Sequence, residues 1–324
     1  MRWLVTGGLG FIGSHFIRLA LRRYPGLEIA NLDAVTYAGN PANLRDVDGD
    51  PRYRFLRGDV CDAQAVRRAL DGGTDAILNF AAETHVDRSI VDPQQFLRTD
   101  ALGTLVLLEA AREFAVPRFL QVSTDEVYGD VARGESLESD PLAPRSPYAA
   151  SKAAADLMAL AYHATYGVPV LVTRGSNTYG PNQYPEKIVP LFVTNLIDDR
   201  AVPVYGDGLQ IRDWLHVEDH AGAILHVLER GEPGHVYNVA GGSPHTNLEL
   251  TRVLMRLCGR AMDTHVNHVT DRAGHDRRYA VSAKKLHDLG WKPQVPFPDG
   301  IAQTVAWYRA NESWWRPLKA HAAL

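Results

Sequence analysis

The sequence predicts an α/β protein: a doubly wound parallel sheet with a smaller C-terminal α+β lobe. Three observations predict it. Short apolar runs alternate with longer stretches of helical apolar spacing. A glycine turn follows the first of those runs directly. The chain, at 324 residues, is longer than one simple core usually needs, which favours an appended lobe.

Taken in order, Trp3–Val5, Glu28–Leu32, Tyr53–Leu56, Ala76–Phe80, Phe119–Val122 and Val168–Val172 read as strands. Between them Gly13–Arg23, Ala63–Leu70, Ala101–Phe114 and Ala149–Tyr166 read as helices, each ending at Gly, Pro or a charged cluster. Crossover helices of this kind cover both faces of a parallel sheet. After Arg174 the chain turns Gly-, Pro- and Asn-rich to Pro190 and then alternates polar and apolar segments through Gly208, which places a transition near residue 175. His235–Val239 reads as one more strand of the main sheet, whereas Thr246–Cys258 and Asp299–Arg309 read as helices of the second lobe. The predicted domains are therefore discontinuous, with residues 1–175 and about 214–245 in the first and about 176–213 and 246–324 in the second.

Composition narrows the function. The 34 Lys and Arg against 38 Asp and Glu give a net charge of −4, without the basic excess of a nucleic-acid binder. No apolar run approaches the roughly 20 residues of a membrane helix, and Gly7 comes too early for a signal-peptide core. Cys61 and Cys258 are the two cysteines, too few for a disulfide framework or thiolate metal site, which fits a reducing cytoplasm. His265 and His268 have metal-like spacing but no convincing third ligand, so an exposed loop is expected there and no metal. Trp314 and Trp315 lack a basic amphipathic helix and are expected to pack on the protein body rather than on a membrane.

The glycine turn carries the first chemistry. Leu4 to Gly13 runs strand, turn, helix, with G-x-G-x-x-G at Gly8, Gly10 and Gly13. Missing β-carbons let backbone amides at a helix N-terminus approach a pyrophosphate, the arrangement of a Rossmann domain. Asp33 ends the second predicted strand, where a carboxylate accepts ribose hydroxyls and repels a 2′-phosphate, favouring NAD over NADP. Such a turn alone also serves as a plain connection; strand, helix and acid together favour the cofactor. Asp59-Val60 and Phe80-Ala81-Ala82 follow further strands at the ligand-binding edge.

Tyr148 and Lys152, four residues apart, should share one helix face. A neighbouring ammonium lowers a phenol from its usual pKa of about 10 towards use as a base. On an ordinary helix the pair would be a solvated face; in a dinucleotide-binding chain it is a candidate for catalysis. Upstream, the buried strand Phe119–Val122 runs into Thr124-Asp125-Glu126, bringing two carboxyl groups to the same edge. Proximity and burial can hold such a pair in different protonation states, for acid and base work; the bland reading is a solvated acidic turn.

Together with Thr36-Tyr37-Ala38-Gly39-Asn40, Phe80 to Ser89, Ser123 to Gly129 and Asp271 to Tyr279, these pieces make the chain similar to the extended short-chain dehydrogenase/reductases, and more narrowly to the dTDP-glucose 4,6-dehydratases, over essentially its whole length. The resemblance implies an internal redox cycle on a nucleotide sugar. Tyr148, aided by Thr124 and Lys152, takes the 4-hydroxyl proton as hydride passes from C4 to NAD; Glu126 takes the C5 proton; Asp125 protonates the departing C6 hydroxyl; the hydride returns to C6.

It further implies that Gly7, Gly10, Phe11, Ile12, Gly13, Asp33, Thr36, Asp59, Val60, Phe80, Ala81, Ala82, Thr99 and Thr178 join Tyr148 and Lys152 in binding the cofactor. The second lobe would bind the sugar nucleotide. Thr84, His85, Asn177, Lys187, Ile188, Pro203, Tyr205, Arg212, Asn247, Arg272, His275 and Tyr279, with Thr124, are the implied substrate contacts. Arg212 suits a pyrophosphate by its forked donors, although beside Asp213 it could be only an ion pair. The chain departs from the commoner family residues at Thr84, Asp100, Gly175-Ser176 and Thr178. Ala101–Phe114 and the Tyr–Lys helix are the implied homodimer face. Rival readings are a 4,6-dehydratase for another nucleotide hexose, a 4-epimerase, which has no need of the Asp–Glu pair, and a catalytically silent NAD-binding regulator.

Overall fold

The computed structural model describes residues 1–322. Its main sheet has seven parallel strands: β1 (Arg2–Thr6), β2 (Glu28–Asp33), β3 (Tyr53–Arg57), β4 (Ala76–Asn79), β5 (Phe119–Thr124), β6 (Val170–Gly175) and, after three strands of the second lobe, β10 (His235–Val239). The spatial order β10-β6-β5-β4-β1-β2-β3 reverses direction between β1 and β4. A crevice opens at the carboxyl ends of strands at such a reversal, and ligands bind there. This is the doubly wound Rossmann architecture anticipated from the alternating apolar runs.

Both sheet faces are covered. Helix Phe11–Arg23 lies against helix Val217–Arg230 on one side, over Phe16, Ile17, Ile224 and Val227. Ala63–Leu70, Gly103–Glu113 and Pro147–Tyr166 cover the other, burying Val66, Leu107, Leu108 and Ala159. A third core, around Phe192, Trp214, Leu254, Tyr308 and Trp315, belongs to the second lobe. That lobe holds β7 (Asn177–Tyr179), β9 (Ile211–His216) and β11 (Pro244–Thr246) in one small sheet and β8 (Val202–Tyr205) with β12 (Val266–Val269) in another. Helices Ile188–Ile197, Asn247–Cys258, Phe297–Ala310 and Glu312–Ala322 pack around them.

Several predicted boundaries shift for local reasons. The first helix begins at Phe11 because Gly10 is its N-cap. The strand predicted from Val168 begins at Val170, since Gly167, at φ 70°, closes the preceding helix in the left-handed conformation. The helix predicted from Ala101 is entered through a π-helical turn, Leu97–Leu102. His265 and His268 do not lie in an exposed loop: His265 ends the short helix Met262–His265, and His268 pairs with Val204 inside β12. Among the described residues no three His, Cys, Asp or Glu side chains gather closely enough to hold a metal, and no helix is long and apolar enough to cross a membrane. Trp315 is fully buried in the second lobe.

A buried polar network ties the active edge to the sheet. Arg174 Nε donates to Asp156 Oδ2 at 2.9 Å and Nη1 to Tyr128 Oη at 2.7 Å, while Tyr128 donates to Asn238 at 2.9 Å. Arg174 and Asp156 are 2% and 0% exposed, so removing one partner strands the other charge out of water. Asp156→Ala is therefore expected to cost about 3–5 kcal/mol, read from the denaturant midpoint.

Candidate active site

β1 delivers the chain into a cradle where side chains have no room. Gly7 has φ 67°, and a β-carbon there would stand 2.6 Å from the Ala81 nitrogen; one on Gly13 would stand 2.6 Å from the Gly7 oxygen. Gly8 does not meet this cavity, contrary to the motif reading: its missing side chain makes room for Asn31 and Ile17. The helix that starts at Phe11 has no side chain capping its N-terminus, which leaves its first amides to face an anion at the positive end of the helix dipole. Beside it, Asp33 accepts the amides of Leu9 at 2.9 Å and Val35 at 2.8 Å, each through one oxygen, leaving lone pairs for ribose hydroxyls. The residues present thus fit a dinucleotide with a free 2′-hydroxyl.

From the cradle a cavity of about 310 Å³ runs along the strand ends. All sixteen residues expected to bind the cofactor line it, from Gly7 through Asp33, Asp59 and Phe80 to Thr99 and Thr178. A second cavity, about 430 Å³, lies towards the second lobe and is lined by His85, Ile188, Pro203, Tyr205, Arg212, Asn247, Arg272 and His275. The two share Thr84, Glu126, Asn177, Glu186 and Lys187, so a molecule in one can meet a molecule in the other. Tyr279 lines neither: its ring stacks under Arg212 at 4.1 Å, and its hydroxyl lies 2.8 Å from Asp276 and 3.4 Å from Glu126.

Thr124, Asp125, Glu126, Tyr148 and Lys152 converge on the first cavity. Thr124 ends β5, and its Oγ1 caps the turn by accepting the Glu126 amide at 3.3 Å. Asp125 is 2% exposed; burial and the neighbouring Glu126 raise its pKa well above the ordinary carboxylate value, which favours its protonated form. Glu126 is partly exposed, at the junction of the cavities. One turn of helix separates Tyr148 from Lys152, as the spacing requires, but Lys152 Nζ donates to the Val122 carbonyl at 2.7 Å. The Tyr148 phenol is pushed well above its ordinary value, first by burial and then by Glu126 and Asp100. The lowering anticipated from an adjacent ammonium is therefore outweighed by desolvation and by acidic neighbours.

Asp100 sits in the π-helical turn, 1% exposed. Its Oδ1 accepts the Glu83 amide at 3.0 Å and its Oδ2 the Ser151 hydroxyl at 2.6 Å. Burial raises its pKa to about 6, against an opposing pull from Lys152. Because the folded value is raised, the favourable contribution is full below the unfolded value of about 3.8 and is lost as pH rises through about 6. Asparagine fits the same contacts, with Nδ2 donating to Ser151 Oγ and the Ser151 proton turning to the Tyr148 carbonyl 2.8 Å away. Asp100→Asn is expected to stabilise the protein at neutral pH by up to ~3 kcal/mol, a gain that disappears in denaturant melts below about pH 4.

In the second cavity Lys319 pairs with Asp198 at 2.9 Å, but Arg212, Lys187 and Arg272 are held apart from carboxylate partners or only loosely paired. Arg212 donates to the carbonyls of Ile211 and Asp276, at 2.8 and 2.9 Å. Asp213 instead accepts the amides of Gly241 and Ser243, at 2.6 and 2.5 Å, which removes the simple ion-pair reading. Arg272 reaches Asp87 only at 3.9 Å, and Lys187 donates to the Thr84 carbonyl. Burial lowers the pKa of Lys187, and that of His85 to about 4. Fixed donors of this kind suit an anionic, sugar-bearing ligand.

Sequence reasoning missed several lining residues, among them Gln95, Gln183, Glu186 and His220 on the first cavity and Trp214 and Lys319 on the second. Glu186 is adjacent to Lys187 and pairs with Arg88 at 3.1 Å; the others carried no local signal.

Comparison with known proteins shows the family. A family model described as GDP-mannose 4,6 dehydratase matches residues 4–304. A dTDP-glucose 4,6-dehydratase of Actinoplanes sp. is 52% identical over 97% of this chain and 100% of its own length, and one of Streptomyces niveus is 52% identical over 99% and 96%. The crystal structure of DesIV, a dTDP-glucose 4,6-dehydratase of Streptomyces venezuelae solved with NAD bound, superposes with a TM-score of 0.96 at 52% identity, covering 98% of this chain and 100% of that one. A UDP-glucose 4-epimerase of Thermus thermophilus, in complex with NAD, has a TM-score of 0.89 at 35% identity, covering 96% and 100%.

Proposed function

This chain belongs to the family described as GDP-mannose 4,6 dehydratase and within it to the dTDP-glucose 4,6-dehydratases, and from that premise we propose that it is the NAD-dependent hydro-lyase converting dTDP-glucose to dTDP-4-keto-6-deoxyglucose. One observation carries the reading: a buried Asp125, its pKa raised, stands next to a partly exposed Glu126, beside Tyr148, where the two cavities meet.

The glycine cradle, Asp33 and Lys152 would hold NAD in the first cavity, where it would supply a hydride acceptor for C4 and the donor for C6, with no external reductant needed. Tyr148 Oη takes the proton of the sugar 4-hydroxyl, with the Thr124 hydroxyl at its side. The resulting 4-ketone acidifies C5–H, and Glu126 removes that proton. Asp125 gives its proton to the C6 oxygen as the C–O bond breaks, and water leaves. Glu126 returns its proton to C5. The proton gained by Tyr148 and the one lost by Asp125 balance through solvent. Arg212, Lys187, Asn177, Asn247, Arg272 and His275 hold the nucleotide diphosphate in the second cavity, Tyr279 braces Arg212 and Glu126, and the smaller lobe is the sugar-nucleotide domain.

Asp125 must be protonated to work. Burial and Glu126 raise its pKa and favour that form, and kcat is expected to fall as pH rises through the raised value. The function is tested with C4-deuterated dTDP-glucose and purified protein: the product should be lighter by one water, with the label at C6 of the same molecule. An epimerase would return a product of unchanged mass, and a regulator none.

The proposed homodimer face is helices Gly103–Glu113 and Pro147–Tyr166, where Leu157 and Met158, and Leu102 just before the first helix, are exposed. Sedimentation of the purified protein tests it. The free cysteines, both partly buried, suit a cytoplasmic enzyme.

A further inference from the structure

The mechanism leaves a buried imidazole on the cofactor cavity unused. His220, in the first turn of helix Val217–Arg230, is 2% exposed and lines the first cavity. Three contacts define its place. The ring occupies the space above Gly175, the last residue of β6: a β-carbon there would stand 2.5 Å from Cε1 and 2.6 Å from Nε2. Nδ1 lies 2.7 Å from Thr178 Oγ1. Nε2 is buried without a hydrogen-bond partner among the described residues.

The neighbours decide the tautomer. Thr178 Oγ1 is also 3.1 Å from the Ser176 carbonyl, which can only accept. The hydroxyl proton therefore goes to Ser176, Nδ1–H donates to Thr178 Oγ1, and Nε2 presents a lone pair. Burial lowers the ring pKa to about 4, so the imidazole stays neutral. A buried acceptor without a donor is costly, and a ligand N–H would relieve it.

Position selects the ligand group. Gly175 pairs with Thr124 across β6 and β5, so the ring stands at the reacting end of the cavity. Asp33, at the ribose end, is on β2, four strand positions away, or about 19 Å. The group within reach is the nicotinamide end of the dinucleotide, whose carboxamide carries N–H donors.

We propose that His220 Nε2 accepts a hydrogen bond from the nicotinamide carboxamide, with Thr178 fixing the tautomer and Gly175 providing the space for the ring. The proposal rests on the NAD reading above. Gly175 and Thr178, two positions where the sequence departs from the commoner family residues, are then coupled through one ring.

The test reads binding, not turnover. Holoprotein is equilibrated with mixtures of NAD and its 3-acetylpyridine analogue, in which methyl replaces the amide nitrogen, and the bound dinucleotides are quantified after rapid desalting. ADP-ribose, which has no nicotinamide, is competed in parallel. The native protein should favour NAD over the analogue about tenfold. His220→Phe, which keeps a ring but no acceptor, and Thr178→Val should bring that ratio close to one, with ADP-ribose gaining on NAD by the same factor. Gly175→Ala, which pushes the ring aside, should act likewise even if His220→Phe fails to fold. Native discrimination retained in Thr178→Val and Gly175→Ala, or in His220→Phe, overturns the proposal, as does an unchanged ADP-ribose ratio. If native protein holds no dinucleotide, the NAD reading itself falls.

Discussion

Asp125→Asn combined with Glu126→Gln is expected to stop the reaction half-way, leaving oxidised sugar and reduced nicotinamide on the enzyme. Oxidation at C4 needs Tyr148 and Thr124, whereas elimination needs a proton delivered to the C6 oxygen and one removed from C5. Asparagine and glutamine keep the size and polarity of the turn but can do neither. Loss of general acid–base assistance costs about 10²–10⁴-fold in rate, and here two such groups act on one step. Steady-state dehydration should fall by at least the upper part of that range, while a single turnover still yields the near-ultraviolet absorbance of bound reduced nicotinamide. Equal loss of oxidation and elimination would remove the role assignment. Of the pair, Asp125→Asn should be the more damaging at the leaving group: its neutral carboxyl is secured by complete burial and by Glu126, and no other group named as lining the first cavity is a carboxyl raised so far.

How much of this was legible in the chain depends on the range of the interactions. The glycine cradle, Asp33 and the Tyr148–Lys152 spacing are local in sequence, and their backbone consequences follow from a few neighbouring residues. Thr124-Asp125-Glu126 was legible because a buried strand must deliver its next residues to the sheet edge. His220 was not: it reaches Gly175 across 45 residues of chain through the packing of a helix on the sheet, and no spacing encodes that. Asp100 was visible as an oddity, but its burial and its two donors, Glu83 and Ser151, come from separate segments. Helix Ile188–Ile197 sits inside a stretch that reads as alternating, because it is apolar on nearly every side and buried in the second lobe. The Tyr148 shift runs against the spacing for a similar reason: the ammonium is four residues away, whereas the carboxyl groups that oppose it converge from two other segments.

Tyr148→Phe is expected to fail earlier, before any reduced nicotinamide forms. The substitution removes one oxygen from a fully packed ring that touches Phe96 edge to face, so the fold should be little changed. What goes is the acceptor for the 4-hydroxyl proton, and the loss should again be about 10²–10⁴-fold, now with no absorbance of reduced cofactor in a single turnover. The phenol works against burial and the negative charge of Glu126 and Asp100. Removing one of those charges should ease its ionisation, and Asp100 is the one that touches no part of the proposed proton transfers. Asp100→Asn should therefore shift the acidic limb of the kcat profile to lower pH while leaving the elimination step alone, and it should do nothing to that limb in the Tyr148→Phe background. A shift that persists without the phenol would mean the limb belongs to another group, with Glu126 the next to examine because its carboxylate must also be ionised to remove the C5 proton.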